Sequence, residues 1–142
     1  MASILKVDTL TGNTTAKTVT VTVGASATQS LETGLVKAWI NANTGSSPAT
    51  NDSFNFSSIT DNADGDESFN FTNNMANDDF AVGGMAKSQD SAGTRMAALN
   101  FHANGGLSGA IGTSFYRLNM HYANTTLRHC NLTTTFAIGD LA

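Results

Sequence analysis

Phe54-Asn-Phe56-Ser-Ser-Ile59, Thr60-Asp-Asn-Ala-Asp64-Gly65 and Asp66-Glu-Ser-Phe69-Asn-Phe71 form the stretch whose reading decides the fold. Apolar and polar residues alternate on both flanks, the period of a strand with one buried face. The Asp64-Gly65 step between them is a hairpin turn signal. The register predicted is Phe54 opposite Phe71 and Phe56 opposite Phe69, with all four rings on one face. Aromatic cross-strand pairs stabilise such a ladder, and a slip of one residue would turn one strand's rings away.

The same alternation recurs outward from this hairpin. Thr18 to Val23 sets Val19, Val21 and Val23 against three threonines. Leu35 to Ala42 sets Val36, Ala38 and Ile40 against Lys37, Trp39 and Asn41. Phe80 and Val82 alternate with Ala81 and Gly83, and Arg95 to His102 carries Leu99 and Phe101 on one side. Phe115 to Tyr122 sets Tyr116, Leu118, Met120 and Tyr122 against Phe115, Arg117, Asn119 and His121. Asn131 to Ile138 sets Leu132, Phe136 and Ile138 against Thr133 and Thr135, the threonines being read as the solvent side. Turn-rich breaks separate these runs, at 43–48, 73–78 and 104–109. The fold expected is all-β, an antiparallel β-sandwich of jelly-roll-like type.

Composition agrees. Thr, Asn, Ser and Gly make up 61 of 142 residues, while Glu, Gln, Lys and Arg together number eleven. Straight-chain residues favour helices and the abundant types favour strands and turns, so a helical protein or coiled coil is excluded. No apolar run is long enough for a membrane-spanning helix. Seven basic against eleven acidic residues, without a basic cluster, argue against nucleic-acid binding. Lys6 and Asp8 interrupt the start where a signal peptide needs an apolar stretch, so cytosolic synthesis is expected. No Phe, Trp or Tyr occurs in residues 1–34, whereas all eight Phe, both Tyr and Trp39 follow. A core needs such large side chains. Residues 1–34 are therefore read as an extended assembly arm, with Ile4, Leu5, Val7, Val19, Val21 and Val23 as its apolar contacts, and 35–142 as the sandwich domain.

Candidate chemistry is sparse. His129 and Cys130 are neighbours on a strand and point to opposite faces, which opposes a shared nucleophile–base site. His102, His121 and His129 lack the short spacing of a zinc site. Asp61, Asp64, Asp66 and Glu67 surround the hairpin turn; oxygen-rich loops bind Ca²⁺, but Ala63 stands where a ligand would be expected, and turn chemistry accounts for the same residues. No phosphate-binding glycine motif is present. Trp39, Tyr116 and Tyr122 are candidate platforms for a sugar ring. No catalytic residue and no cofactor is indicated.

Several motifs in order carry a family resemblance. Met1-Ala-Ser-Ile-Leu-Lys-Val-Asp-Thr-Leu10 resembles the opening of tailed-bacteriophage structural proteins, especially marine-phage tail fibres. Gly34-Leu-Val-Lys-Ala-Trp39-Ile-Asn41 resembles the first strand of their C-terminal domain. Asp52 to Asn62, Gly65-Asp66, Phe69 to Thr72, Met75-Ala-Asn77 and Phe80-Ala-Val82 continue the pattern, and Phe136 to Ala142 is similar to their common terminus. The resemblance implies a non-enzymatic virion protein, a homotrimer of β-structured subunits partnered by other virion proteins. Only residues 11–33 separate the opening motif from the Trp-containing strand, shorter than in many such proteins, so a long shaft is not expected. A short tail fibre or spike is the first expectation; a capsid decoration protein or a module binding host-surface glycan are the alternatives.

Overall fold

The alternating runs become strands, and where each begins is set by side-chain size and a single backbone kink. The computed structural model describes residues 6–10, 19–23, 27–88, 96–101, 110–121 and 127–142. The chain divides into two compact units, Met1–Leu35 and Val36–Ala142. In the first, β1 (Thr20–Val23) pairs antiparallel with β2 (Ala27–Ser30), Val21 lying opposite Gln29. A helical turn, α1 (Leu31–Gly34), follows, and the Leu31 N–H donates to the Val19 carbonyl at 2.7 Å. The expected strand thus finds a partner within its own unit. Val7 and Val21 remain about half exposed; Ile4 and Leu5 lie outside the described residues.

The second unit is an antiparallel β-sandwich. Its strands are β3 (Ala38–Thr44), β4 (Ala49–Phe54), β5 (Phe56–Ala63), β6 (Asp66–Phe71), β7 (Ala81–Ser88), β8 (Met96–Phe101), β9 (Ile111–Gly112), β10 (Phe115–His121) and β11 (Cys130–Ile138). The hydrogen-bonded order is β4-β3-β11-β7-β8-β10-β6-β5, with β9 on β10, and every pairing is antiparallel. β8 pairs with β7 through Met96 and Ala97 and with β10 through Ala98 to Phe101, so it runs from one layer into the other.

The core lies between the layers. β6 and β10 contribute Phe69, Phe71, Tyr116, Leu118 and Met120; β3 contributes Ala38, Ile40 and Ala42. Tyr116 is fully buried, with ring centroids of Phe69, Phe71, Phe56 and Phe80 between 5.3 and 6.4 Å away. Its hydroxyl hydrogen-bonds Thr135 on the opposite sheet. Beside it, Thr44 and Thr133 share a hydroxyl hydrogen bond of 2.7 Å, and both approach the Met120 sulfur.

Two expectations are corrected. Phe54 does not join the hairpin: it ends β4 opposite Trp39 and is half exposed, and Phe56, not Phe54, faces Phe71. The reason is Asn55, whose φ of 61° breaks the strand and sends the chain from one sheet to the other. Asn tolerates this left-handed conformation better than most residues. Its side chain also holds the kink: Nδ2 donates to the carbonyls of Lys37 and Asn73, and Oδ1 accepts from the Asn73 N–H at 2.7 Å. A bulge between Phe56 and Ser58 then sets Ile59 opposite Phe69, so the Phe56, Phe69 and Phe71 rings still meet in the core.

The second correction concerns β11, where the expected faces are exchanged. Thr133, Thr135 and Ala137 point inward and are buried, while Phe136 points outward. Opposite this strand stand Tyr116 and Met120, which leave room for small side chains and supply partners for threonine hydroxyls. Alternation establishes that a strand has two faces; which one is buried is set by what packs against it.

Asn55→Ala should lower unfolding free energy by about 2–3 kcal/mol, combining lost hydrogen bonds with left-handed strain, whereas Asn55→Gly, free of that strain, should cost less; urea denaturation compares them. Tyr116→Phe should cost about 1–2 kcal/mol because it strands the Thr135 hydroxyl in the core.

Candidate functional site

The exchange of faces on β11 builds a surface. Across the outer side of the first sheet, the ladder registers align Phe54, Trp39, Phe136 and Gly83 in one row. The three aromatic side chains are 52 %, 37 % and 40 % exposed. The next row reads Asp52, Asn41, Thr134 and Met85, the methionine almost wholly in solvent. Asn51 Nδ2 donates to Asn41 Oδ1 at 2.8 Å, so amides flank the aromatic row. Gly83 has a steric role: a β-carbon there would lie 2.6 Å from the Phe136 ring. The far end of the ring therefore occupies the space that a side chain at 83 would need. Beside it Met85, Lys87, Leu132, Thr134 and Phe136 line a shallow groove of about 370 Å³.

Scattered apolar residues on a surface are ordinary, but a contiguous patch marks a contact site. Four of the five large apolar residues that the second unit exposes, among those described, sit on this one sheet face. Trp39 is where a platform residue would be. Tyr116, the second expected platform, is instead the centre of the core and offers no ring face to a ligand; burial pushes its phenol well above the usual range. Tyr122 lies outside the described residues. Sequence reasoning missed Phe54, Phe136 and Met85, because the first two were placed on the core face by their hydrophobicity.

The acidic turn gathers several ionisable side chains, and the structure sorts its members. Asp66 makes a bidentate pair with Arg117, at 2.6 and 2.5 Å, and is spoken for. The hydrogen bond to Asp66 chiefly raises the Arg117 pKa. Asp64 accepts the His129 backbone N–H at 2.9 Å and meets Arg128 at 3.2 Å. Gly65, with φ of 72°, brings the turn against Arg128, whose backbone nitrogen would be 2.4 Å from any added β-carbon. Asp61, Asp64 and Asp66 are thus not gathered into one oxygen-lined site, in a turn whose acidic residues read as turn chemistry in the sequence. Glu67 turns inward on the same face as Phe69 and is fully buried; burial first, then the charges of Asp61, Asp66 and Asp64, push its carboxyl up to about 8. Donor atoms of Asp61, Glu67 and His129 lie within 4.8 Å of one another, and these three residues could hold a metal ion.

Cys130, next to His129, faces the core, and burial followed by the Glu67 charge pushes its thiol up to about 11. A thiol so held is a poor nucleophile. Among the described residues no helix is long and apolar enough to cross a membrane. No family model, curated protein or solved structure matches the chain.

Because Phe136 lies on the surface, Phe136→Ala should cost the chain about 1 kcal/mol or less, against about 3–5 kcal/mol for Phe69→Ala in the core; chemical denaturation of both variants measures the contrast.

Proposed function

We propose that this chain is a non-enzymatic structural subunit of a tailed-bacteriophage virion, a short trimeric tail fibre or spike whose N-terminal arm serves assembly and whose sandwich is presented outward. The observation that carries the reading is the aromatic row Phe54, Trp39 and Phe136, joined by Met85. A sheet face of this kind gains by being covered, because apolar area removed from water stabilises association by roughly 25 cal/mol per Å² before the entropic costs of binding. A second copy of the chain is the occupant proposed, in keeping with the trimer that the family resemblance implies. The N-terminal hairpin, poor in large apolar residues, suits attachment to other virion proteins by strand addition. A capsid decoration protein is the same kind of subunit at another place on the particle.

One observation favours a second reading, a module for host-surface glycan. Trp39 is partly exposed and has Asn41, Asn51 and Asp52 close by, a ring beside amide and carboxylate groups that can meet sugar hydroxyls.

Light scattering on the full chain should give the mass of a trimer at micromolar concentration. The double variant Trp39→Ser with Phe136→Ser should weaken assembly by at least about tenfold, as expected when central aromatic contacts are lost. A wild-type monomer would overturn the trimer. An unchanged trimer in the variant would remove the aromatic row from the interface, and loss of glycan-array binding in that variant would then favour the second reading. Image reconstruction of the particle separates tail from shell.

A further inference from the structure

The inward carboxylate of Glu67 is an anomaly for a chain with so few charges. Its side chain is completely buried, and neither Oε1 nor Oε2 has a hydrogen-bond partner. His129 Nδ1, also buried, has none either. Buried polar atoms are nearly always satisfied, so three unsatisfied atoms on two neighbouring side chains call for a physical explanation. Nδ1 and Oε1 are 3.5 Å apart, too far for a good hydrogen bond. That separation is instead ordinary for two ligands of one metal ion, since bonds of about 2.0–2.2 Å in tetrahedral array put neighbouring donors roughly 3.3–3.6 Å apart.

The surroundings favour a cation. Asp61 stands directly opposite Glu67 in the β5–β6 ladder, an arrangement of like charges that is unfavourable by itself. Asp64 anchors His129 by its main chain: Oδ1 accepts the backbone N–H at 2.9 Å and lies 3.6 Å from Nε2, beyond hydrogen-bond reach. With the Asp64 carboxylate on the Nε2 side and Glu67 on the Nδ1 side, the tautomer protonated at Nε2 is the one that would offer its Nδ1 lone pair to an ion. Metal-bound histidines are oriented in this way by carboxylates. The third donor, from exposed Asp61, lies within 4.8 Å of the other two, and an inward movement of at most roughly 1.5 Å would bring it to the spacing of a shared ion.

We propose that Asp61, Glu67 and His129 bind one divalent first-row transition ion, of the Zn²⁺ class, as a structural clip between the β5–β6 hairpin and the segment entering β11. The donor set chooses the class. One imidazole with two carboxylates suits Zn²⁺ and its neighbours, whereas Ca²⁺ takes six to eight oxygen ligands. Asp66 is excluded by its bidentate pair with Arg117. The clip joins residues more than sixty positions apart, and it turns a costly buried carboxylate into a ligand.

The test uses the full chain, stripped with chelator, dialysed and titrated calorimetrically with Zn²⁺, Mn²⁺ and Ca²⁺ as separate probes. Zn²⁺ should bind at one ion per chain and raise the melting temperature. Glu67→Gln should fold at least as well as the metal-free wild type, since the amide keeps the shape and carries no charge beside Asp61 at any pH. Zn²⁺ affinity should fall about 100-fold or more in Glu67→Gln, and at least tenfold in Asp61→Asn. Co²⁺ substituted into the site should show visible bands without a thiolate charge-transfer band. Failure of wild-type protein to bind Zn²⁺ at millimolar concentration overturns the proposal. So does undiminished binding in a folded Glu67→Gln variant, a thiolate band implicating Cys130, or a response to Ca²⁺ alone.

Discussion

The sandwich is organised around the ring and hydroxyl of Tyr116. The ring stacks on Phe69 with centroids 5.3 Å apart and meets Phe56, Phe71 and Phe80 at steeper angles, gathering aromatic residues from three strands and a loop. The hydroxyl crosses to Thr135 on the facing sheet. A core of this kind is specified by fit as well as by hydrophobicity: interiors are packed as densely as crystals, so a large ring on one sheet requires small side chains on the other. β3 and β11 answer with Ala38, Ala42, Thr133, Thr135 and Ala137. The inward threonines are tolerated because each hydroxyl has a partner.

The outer surface follows from that constraint. Once Thr135 and Ala137 occupy the inner face of β11, Phe136 has only the outer face left, since successive side chains alternate. Antiparallel registry then sets it beside Trp39 and Trp39 beside Phe54. The packed inner face and the aromatic outer face are supplied by the same two strands, β3 and β11, with opposite parities. This accounts for three aromatic residues on the surface of a chain with a modest core and low charge.

The hairpin end obeys a different logic. There the inward position that continues the row of Phe69 and Phe71 is filled by Glu67, and the sequence supplies no apolar substitute. Neighbouring charges are used up locally, Asp66 by Arg117 and Asp64 by the backbone of His129. What remains is a buried carboxylate, an imidazole nitrogen and a nearby aspartate, groups that repel or desolvate one another unless something positive lies between them.

Much of the fold was legible in the residues themselves. Period-2 alternation and the scarcity of helix formers give an all-β chain, the Asp64-Gly65 step gives the hairpin turn, and the absence of aromatics before Thr33 distinguishes the first unit from the second. These are local signals, fixed by backbone sterics and side-chain propensity. Which face of β11 is buried, where β4 ends and β5 begins, and which carboxylates meet His129 were decided by tertiary structure alone. Parity does not say which side is inside, a single Asn at positive φ moves Phe54 to another sheet, and residues sixty positions apart become neighbours only when two sheets close over one tyrosine. The sequence by itself determined the strands; the packing around Tyr116 determined which residues were left on the outer face.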